Sequence, residues 1–119
     1  MTRESLSMTN EVKKRLYDAW SACEAVEEFT AGKTLTDYKE DLMLRSAVER
    51  QLEIIGEALG QAAEVTEVLS EDVPDLPDII SFRNRIAHGY DSLDHEIVWD
   101  IVQKNVPRLR IQLEELLDR

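Results

Sequence analysis

The sequence is poor in several residue types, and each scarcity excludes a class of protein. A single cysteine, Cys23, occurs among 119 residues, which excludes an internal disulfide and a cysteine-rich zinc site. The 14 basic residues are outnumbered by 25 acidic ones, and a formal charge of −11 disfavours binding of nucleic acid or anionic membranes by the surface as a whole. No run of about 18 apolar residues occurs, and the first residues lack the stretches of a signal peptide. These absences predict a cytoplasmic chain that does not enter a membrane.

Glycine and proline are also scarce, at four and three residues, and they mark where helices end. Between them apolar residues recur at steps of three and four, which is the period of an amphipathic helix. No segment of useful length alternates apolar and polar residues as a strand would. The predicted helices run from Thr9 or Asn10 to Gly32, from about Asp37 to about Leu69, from about Pro77 to His88, and from Ser92 or Asp94 towards the C-terminus.

Local signals refine this set of helices. Thr34 or Thr36 is expected to cap the second helix, and Gly89 to stop the third. Residues 70–77 contain two prolines and three acids and are predicted to form a loop. Pro107 should kink the fourth helix or split it near Val106. We therefore predict an all-α, up-and-down bundle of four or five helices in a single domain over residues 1–119.

Two of the glycines, Gly56 and Gly60, have the G-x-x-x-G spacing inside the second predicted helix. In a soluble bundle this spacing indicates close packing of two helices, which we favour here. A membrane dimer, the other use of the spacing, is excluded by the charges on the same segment. Glu53 and Glu57 lie four residues apart and could ligate a metal ion, but a solvated or interface face is the favoured interpretation.

The densest cluster of polar residues spans residues 82–90, with the sequence FRNRIAHGY. Its charge differs from that of the rest of the chain. Residues 1–80 hold 8 basic and 18 acidic side chains, whereas residues 81–110 hold 5 and 4. A site for a polyanion would therefore have to be a local basic pocket in an acidic shell, and this segment is the candidate.

The spacing within this cluster suits phosphodiester chemistry. On a helix Asn84 and His88 share one face, so the amide can hydrogen-bond the imidazole and fix its tautomer. Arg83 lies about 140° round the helix from His88 and reaches it if the last turn frays. Arginine can clamp nonbridging oxygens while histidine moves protons. The structural alternative stays open: Arg83 and Arg85 as solvated charges, His88 as a helix cap and Tyr90 as a core aromatic.

The pattern Arg83-Asn84-x-x-x-His88-x-Tyr90 resembles the R-x4-H-x-Y motif of HEPN-domain ribonucleases. It is most similar to the HepT-like toxins that are paired with minimal nucleotidyltransferases. Residues 52–58, LEIIGEA, resemble the L-E-x-I-G-E-A stretch of that family. The resemblance covers about residues 8–117. It implies that these residues form the structured HEPN-like bundle.

The resemblance implies a homodimer in which Arg83 and His88 of two subunits meet in an interfacial cleft. It implies a metal-independent endoribonuclease with no cofactor, whose substrate is RNA. Arg83 and His88 would be catalytic, and Asn84 and Arg85 would support them. Tyr90 would line the cleft and be adenylylated by a nucleotidyltransferase antitoxin.

Two other functions remain open from the sequence. The chain could be a noncatalytic HEPN subunit that binds nucleotide or docks a nucleotidyltransferase, because phosphate binding also uses arginine. It could instead be a purely structural helical dimerisation domain, which the intact Arg83 and His88 pair disfavours. Cleavage of RNA by the wild-type chain, set beside His88→Ala, separates the three functions.

Overall fold

A computed structural model describes residues 9–67, 69–89 and 93–118. Helices account for nearly all of these residues, and the described ranges contain no strand, so the predicted all-α fold is confirmed. Residues 95–117 form one continuous helical segment. This segment and three other long helices make up the bundle. In chain order the segments are α1 (Asn10–Thr30), α2 (Leu35–Glu40), α3 (Leu42–Val65), α4 (Leu69–Asp72), α5 (Leu76–Gly89), α6 (His95–Asp100), a π-helical turn (Ile101–Asn105) and α7 (Val106–Leu117).

Three helices begin at predicted caps. The Thr9 hydroxyl accepts a hydrogen bond from the Val12 backbone N–H at the start of α1. Thr34 and Asp37 form a reciprocal capping box at the start of α2. Asp94 accepts hydrogen bonds from two backbone N–H groups in the first turn of α6. These side chains satisfy donors that a helix end leaves unpaired, so local sequence places each start.

The prediction of one long helix from Asp37 to Leu69 is wrong. The chain leaves helical geometry at Asp41, where φ is −118° and ψ is 98°. The Asp41 side chain accepts a hydrogen bond from the Leu44 backbone N–H, and this local bond competes with a continuous helix. The break turns α2 so that Tyr38 is fully buried in the core.

Two expectations concern proline-containing segments. Part of the predicted loop at residues 70–77 is helical, because α4 occupies Leu69–Asp72 and α5 begins at Leu76. The predicted division of the last helix near Val106 is confirmed: a π-helical turn at Ile101–Asn105 separates α6 from α7, and the Val106 N–H bonds to the Ile101 carbonyl. In a regular α-helix the Pro107 ring would collide with the carbonyl four residues earlier, and the wider turn accommodates it.

The core lies where α3 packs between α1 and α5, while α1 also packs against α7. Two contacts show that α3 and α5 are antiparallel, as neighbours in an up-and-down bundle are. Gly60 lies beside Ile80 and Gly56 beside Arg83, so α3 and α5 run in opposite directions. The helix α5, which carries the candidate site, is held mainly by α3.

None of the helices in the described ranges is long and apolar enough to cross a membrane.

Candidate functional site

The polar cluster predicted from the sequence lies on the second half of α5. Ile86 is buried and fixes this part of the helix to the core, while Asn84 and Arg85 are exposed. Arg83 is half-buried. The helical backbone continues through Gly89, so His88 occupies the last turn. The side chain of His88 and all of Tyr90 lie outside the described residues.

Arg83 is seated against α3 at a point where that helix has no side chain. Gly56 is buried, and a Cβ atom placed there would overlap the Arg83 Cβ and lie 2.8 Å from its Cγ. It would also lie 3.3 Å from the Ile79 carbonyl oxygen. Only glycine at position 56 allows α5 to approach this closely. The close packing predicted from the G-x-x-x-G spacing is therefore confirmed, with Gly60 in ordinary contact with Ile80, 3.9 Å away.

The guanidinium of Arg83 has two polar neighbours. Its Nη1 donates a hydrogen bond to Asn84 Oδ1 at 3.1 Å, and its Nη2 lies 3.7 Å from Glu57 Oε2. Its Nε is buried and finds no hydrogen-bond acceptor in the described part of the chain. Arg83 is therefore not a freely solvated charge, as the structural alternative would have it. Arg85, in contrast, is exposed.

Asn84 has a partner that the sequence spacing does not predict. The sequence spacing pairs Asn84 with His88, whereas the structure shows its amide oxygen bonded to the adjacent Arg83. The predicted contact to the imidazole involves a side chain outside the described residues, so that contact stays a prediction. The observed bond holds one end of the guanidinium, which is the group able to bind the nonbridging oxygens of a phosphodiester.

Glu57 is the neighbour that the sequence interpretation missed. Its position in the sequence favours a solvated or interface face, with metal ligation as the alternative. The sequence feature that could have identified this contact is the position of Glu57 directly after Gly56. A residue next to a close helix contact lies at the edge of the neighbouring helix. Within the described residues no three histidine, cysteine or acidic side chains converge as a metal site would require.

Comparisons with known proteins identify the family of this chain. A family described as ribonuclease HepT-like matches residues 20–116. "Putative RNase MJ1380" of Methanocaldococcus jannaschii is 33% identical over 106 residues, which cover 87% of this chain and 94% of that relative. "Probable ribonuclease HepT" of Thermococcus cleftensis is 32% identical over 104 residues, with the same shares covered. No solved structure matches the chain. The chain therefore belongs to the ribonuclease HepT-like family.

Proposed function

We propose that this chain is the toxin of a type VII-like toxin–antitoxin pair. In this proposal it is a cytoplasmic, homodimeric endoribonuclease that needs neither a metal ion nor a cofactor. One observation carries the proposal. The chain belongs to the ribonuclease HepT-like family and has the R-N-x-x-x-H-x-Y pattern in its sequence, and the Arg83 of this pattern is seated on α3 with its Nη1 bonded to Asn84.

The proposed chemistry uses groups that RNA and the chain already supply. The 2′-hydroxyl of the RNA attacks the adjacent phosphorus while a base takes its proton, and an acid protonates the leaving 5′-oxygen. Arg83 stabilises the charge that builds up on the nonbridging oxygens of the phosphorane-like transition state. His88, at the C-terminal end of α5 where the helix dipole favours the imidazolium, transfers protons. The product is a 2′,3′-cyclic phosphate.

The homodimer supplies a second proton-transfer group. One subunit offers a single histidine in the motif, whereas this cleavage uses both a base and an acid. Two copies of His88 in one interfacial cleft meet that need. Arg85, exposed on the same helix, would add positive charge that attracts RNA to the cleft.

Tyr90 is the proposed point of control. An adenylyl group attached to its hydroxyl by a nucleotidyltransferase antitoxin would place negative charge beside Arg83 and His88. That charge would compete with the RNA phosphate for Arg83 and block the cleft. Tyr90→Phe should therefore keep RNase activity yet escape the partner, and intact-mass spectra should show no added adenylyl mass. A Tyr90→Phe chain that is still modified and silenced assigns the control to another hydroxyl.

The decisive experiment is an RNA cleavage assay in EDTA with the wild type, His88→Ala and His95→Ala. His95 is the other histidine of the chain, and its ring contacts Tyr38. We expect His88→Ala to lose cleavage by about 10²- to 10⁴-fold and His95→Ala to keep it. Activity that ends in EDTA, or that survives His88→Ala, contradicts the proposal. A wild-type chain that binds RNA without cleaving it is the noncatalytic subunit instead.

Light scattering at micromolar concentration tests the dimer separately. The proposal expects twice the mass of the 13.7 kDa chain. A monomer removes the shared-site mechanism, whatever the cleavage assay shows.

A further inference from the structure

The seat of Arg83 fixes the first half of its side chain. The Cβ and Cγ atoms occupy the space that any side chain at position 56 would fill. The backbone of α3 therefore restricts the first torsion angles of Arg83, which in a free arginine are a large source of rotamer entropy. The orientation of the guanidinium then depends on what its nitrogen atoms meet.

Those nitrogen atoms meet one group from each helix. Asn84 on α5 accepts a hydrogen bond from Nη1 at 3.1 Å, and the carboxylate of Glu57 on α3 lies 3.7 Å from Nη2. The buried Nε cannot turn outward to reach solvent without moving the whole side chain. The two contacts, one at each terminal nitrogen, therefore favour one orientation of the guanidinium.

The distance between Glu57 and Arg83 is too long for a hydrogen bond, and it leaves Arg83 free to bind another group. At 3.7 Å the contact is an attraction between charges rather than a hydrogen bond. The Glu57 side chain is 49% exposed, so the attraction is screened and weak. The Nη2 hydrogens thus stay available for a phosphate oxygen. The same carboxylate, however, repels any phosphate that approaches Arg83.

We infer that Glu57 is a positioning residue, which orients the Arg83 guanidinium for the transition state at the cost of weaker ground-state binding of RNA. The inference rests on the proposed function, because Arg83 is the group that would stabilise the transition state. Gly56 and Glu57 then act together. Gly56 allows Arg83 to pack against the surface of α3, and Glu57 orients the Arg83 guanidinium.

A positioning role for Glu57 predicts a lower kcat without a higher KM. Without the carboxylate, Arg83 samples more orientations, so kcat should fall, by about 10-fold for a displaced catalytic group. The loss of like-charge repulsion should leave KM unchanged or lower. A structural defect would instead reduce the amount of folded protein or raise KM.

The experiment compares Glu57→Gln, Glu57→Asp and Glu64→Gln. Glu64 is an exposed residue two turns further along the same side of α3, so its variant controls for the loss of one negative charge from that helix. Circular dichroism establishes that each variant is folded. We expect kcat to fall most in Glu57→Gln, to fall less in Glu57→Asp, which keeps the charge on a shorter side chain, and to stay unchanged in Glu64→Gln, with no variant raising KM.

A second measurement does not depend on cleavage. The Nε–Hε resonance of Arg83, assigned with Arg83→Lys, should move in Glu57→Gln and stay in place in Glu64→Gln. If the wild type cleaves no RNA, the proposed function fails while this resonance still tests the contact. A resonance that does not move, or an unchanged kcat in folded Glu57→Gln, overturns the inference.

Discussion

Two arginines, each on a helix that packs against a partner helix, show how partners decide what an arginine can do. Arg83 on α5 and Arg110 on α7 have similar side-chain exposure, at 30% and 26%. Arg110 donates from Nε to Glu27 and from Nη1 to Glu114, the latter at 2.8 Å. Trp20 donates its indole N–H to the same Glu114 oxygen at 2.9 Å. Burial alone would not distinguish the two arginines.

The difference lies in the number of strong acceptors. Arg110 is bonded to two carboxylates on two helices, so its charge is balanced and its function is to hold α1 to α7. Arg83 has one amide acceptor and one carboxylate beyond hydrogen-bond distance. A guanidinium with unfilled donors is the one that can bind an incoming oxyanion. The acceptors around Arg83 and Arg110, and not their exposure, therefore determine which guanidinium has donors left for a ligand.

Replacing each of the two arginines by alanine should give the largest change in activity. Arg83→Ala should lower RNA cleavage by about 10²- to 10³-fold through lost charge stabilisation, with stability within about 0.5 kcal/mol because alanine keeps the Cβ contact at Gly56. Arg110→Ala should keep cleavage within a few-fold and lower the free energy of unfolding by about 1 kcal/mol. Cleavage assays and urea unfolding on both variants measure this. Equal loss of cleavage in the two variants would show that their acceptors do not distinguish the roles of Arg83 and Arg110.

The next effect concerns the two glycines of α3. Gly56→Ala forces its new methyl group into Arg83, so the free energy of unfolding should fall by about 1–3 kcal/mol and cleavage should fall as Arg83 is displaced. Gly60→Ala meets only Ile80, at 3.9 Å, and should be neutral or stabilising by up to about 1 kcal/mol, since alanine is the better helix former. Chemical denaturation gives both values. Equal destabilisation by the two substitutions contradicts the close contact at Gly56.

The smallest effect is a pH dependence at the Arg110 contact. Hydrogen bonds from Trp20 and then Arg110 lower the pKa of Glu114 below its ordinary value of 4.5. A carboxylate with a lowered folded-state pKa stabilises the protein above the ordinary pKa, and this contribution is lost as the pH falls through the folded-state value. The wild type should thus lose stability relative to Glu114→Gln below about pH 4.5. Thermal unfolding from pH 3 to 7 measures the difference, and Glu115→Gln, at an exposed neighbour, should run parallel to the wild type.

Local sequence determined where three of the helices begin and which segment carries the candidate site. Thr9, Thr34 and Asp94 cap their helices through bonds to backbone groups two or three residues away, and such bonds need no other part of the chain. The apolar period of three and four residues gave the long helices for the same reason. The motif on residues 83–90 was visible because its members share one short segment.

The tertiary structure alone decided the features that join distant parts of the chain. The hydrogen bond at Asp41 is local, but the burial of Tyr38 depends on how α2 packs against α3 and α6. The pairing of Arg83 with Glu57 crosses from α5 to α3. Helical period specifies which face of a helix is apolar, but it does not specify the rotation and depth at which two such faces meet. That depth, set at Gly56 by the absence of a side chain, is what brings Glu57 to Arg83.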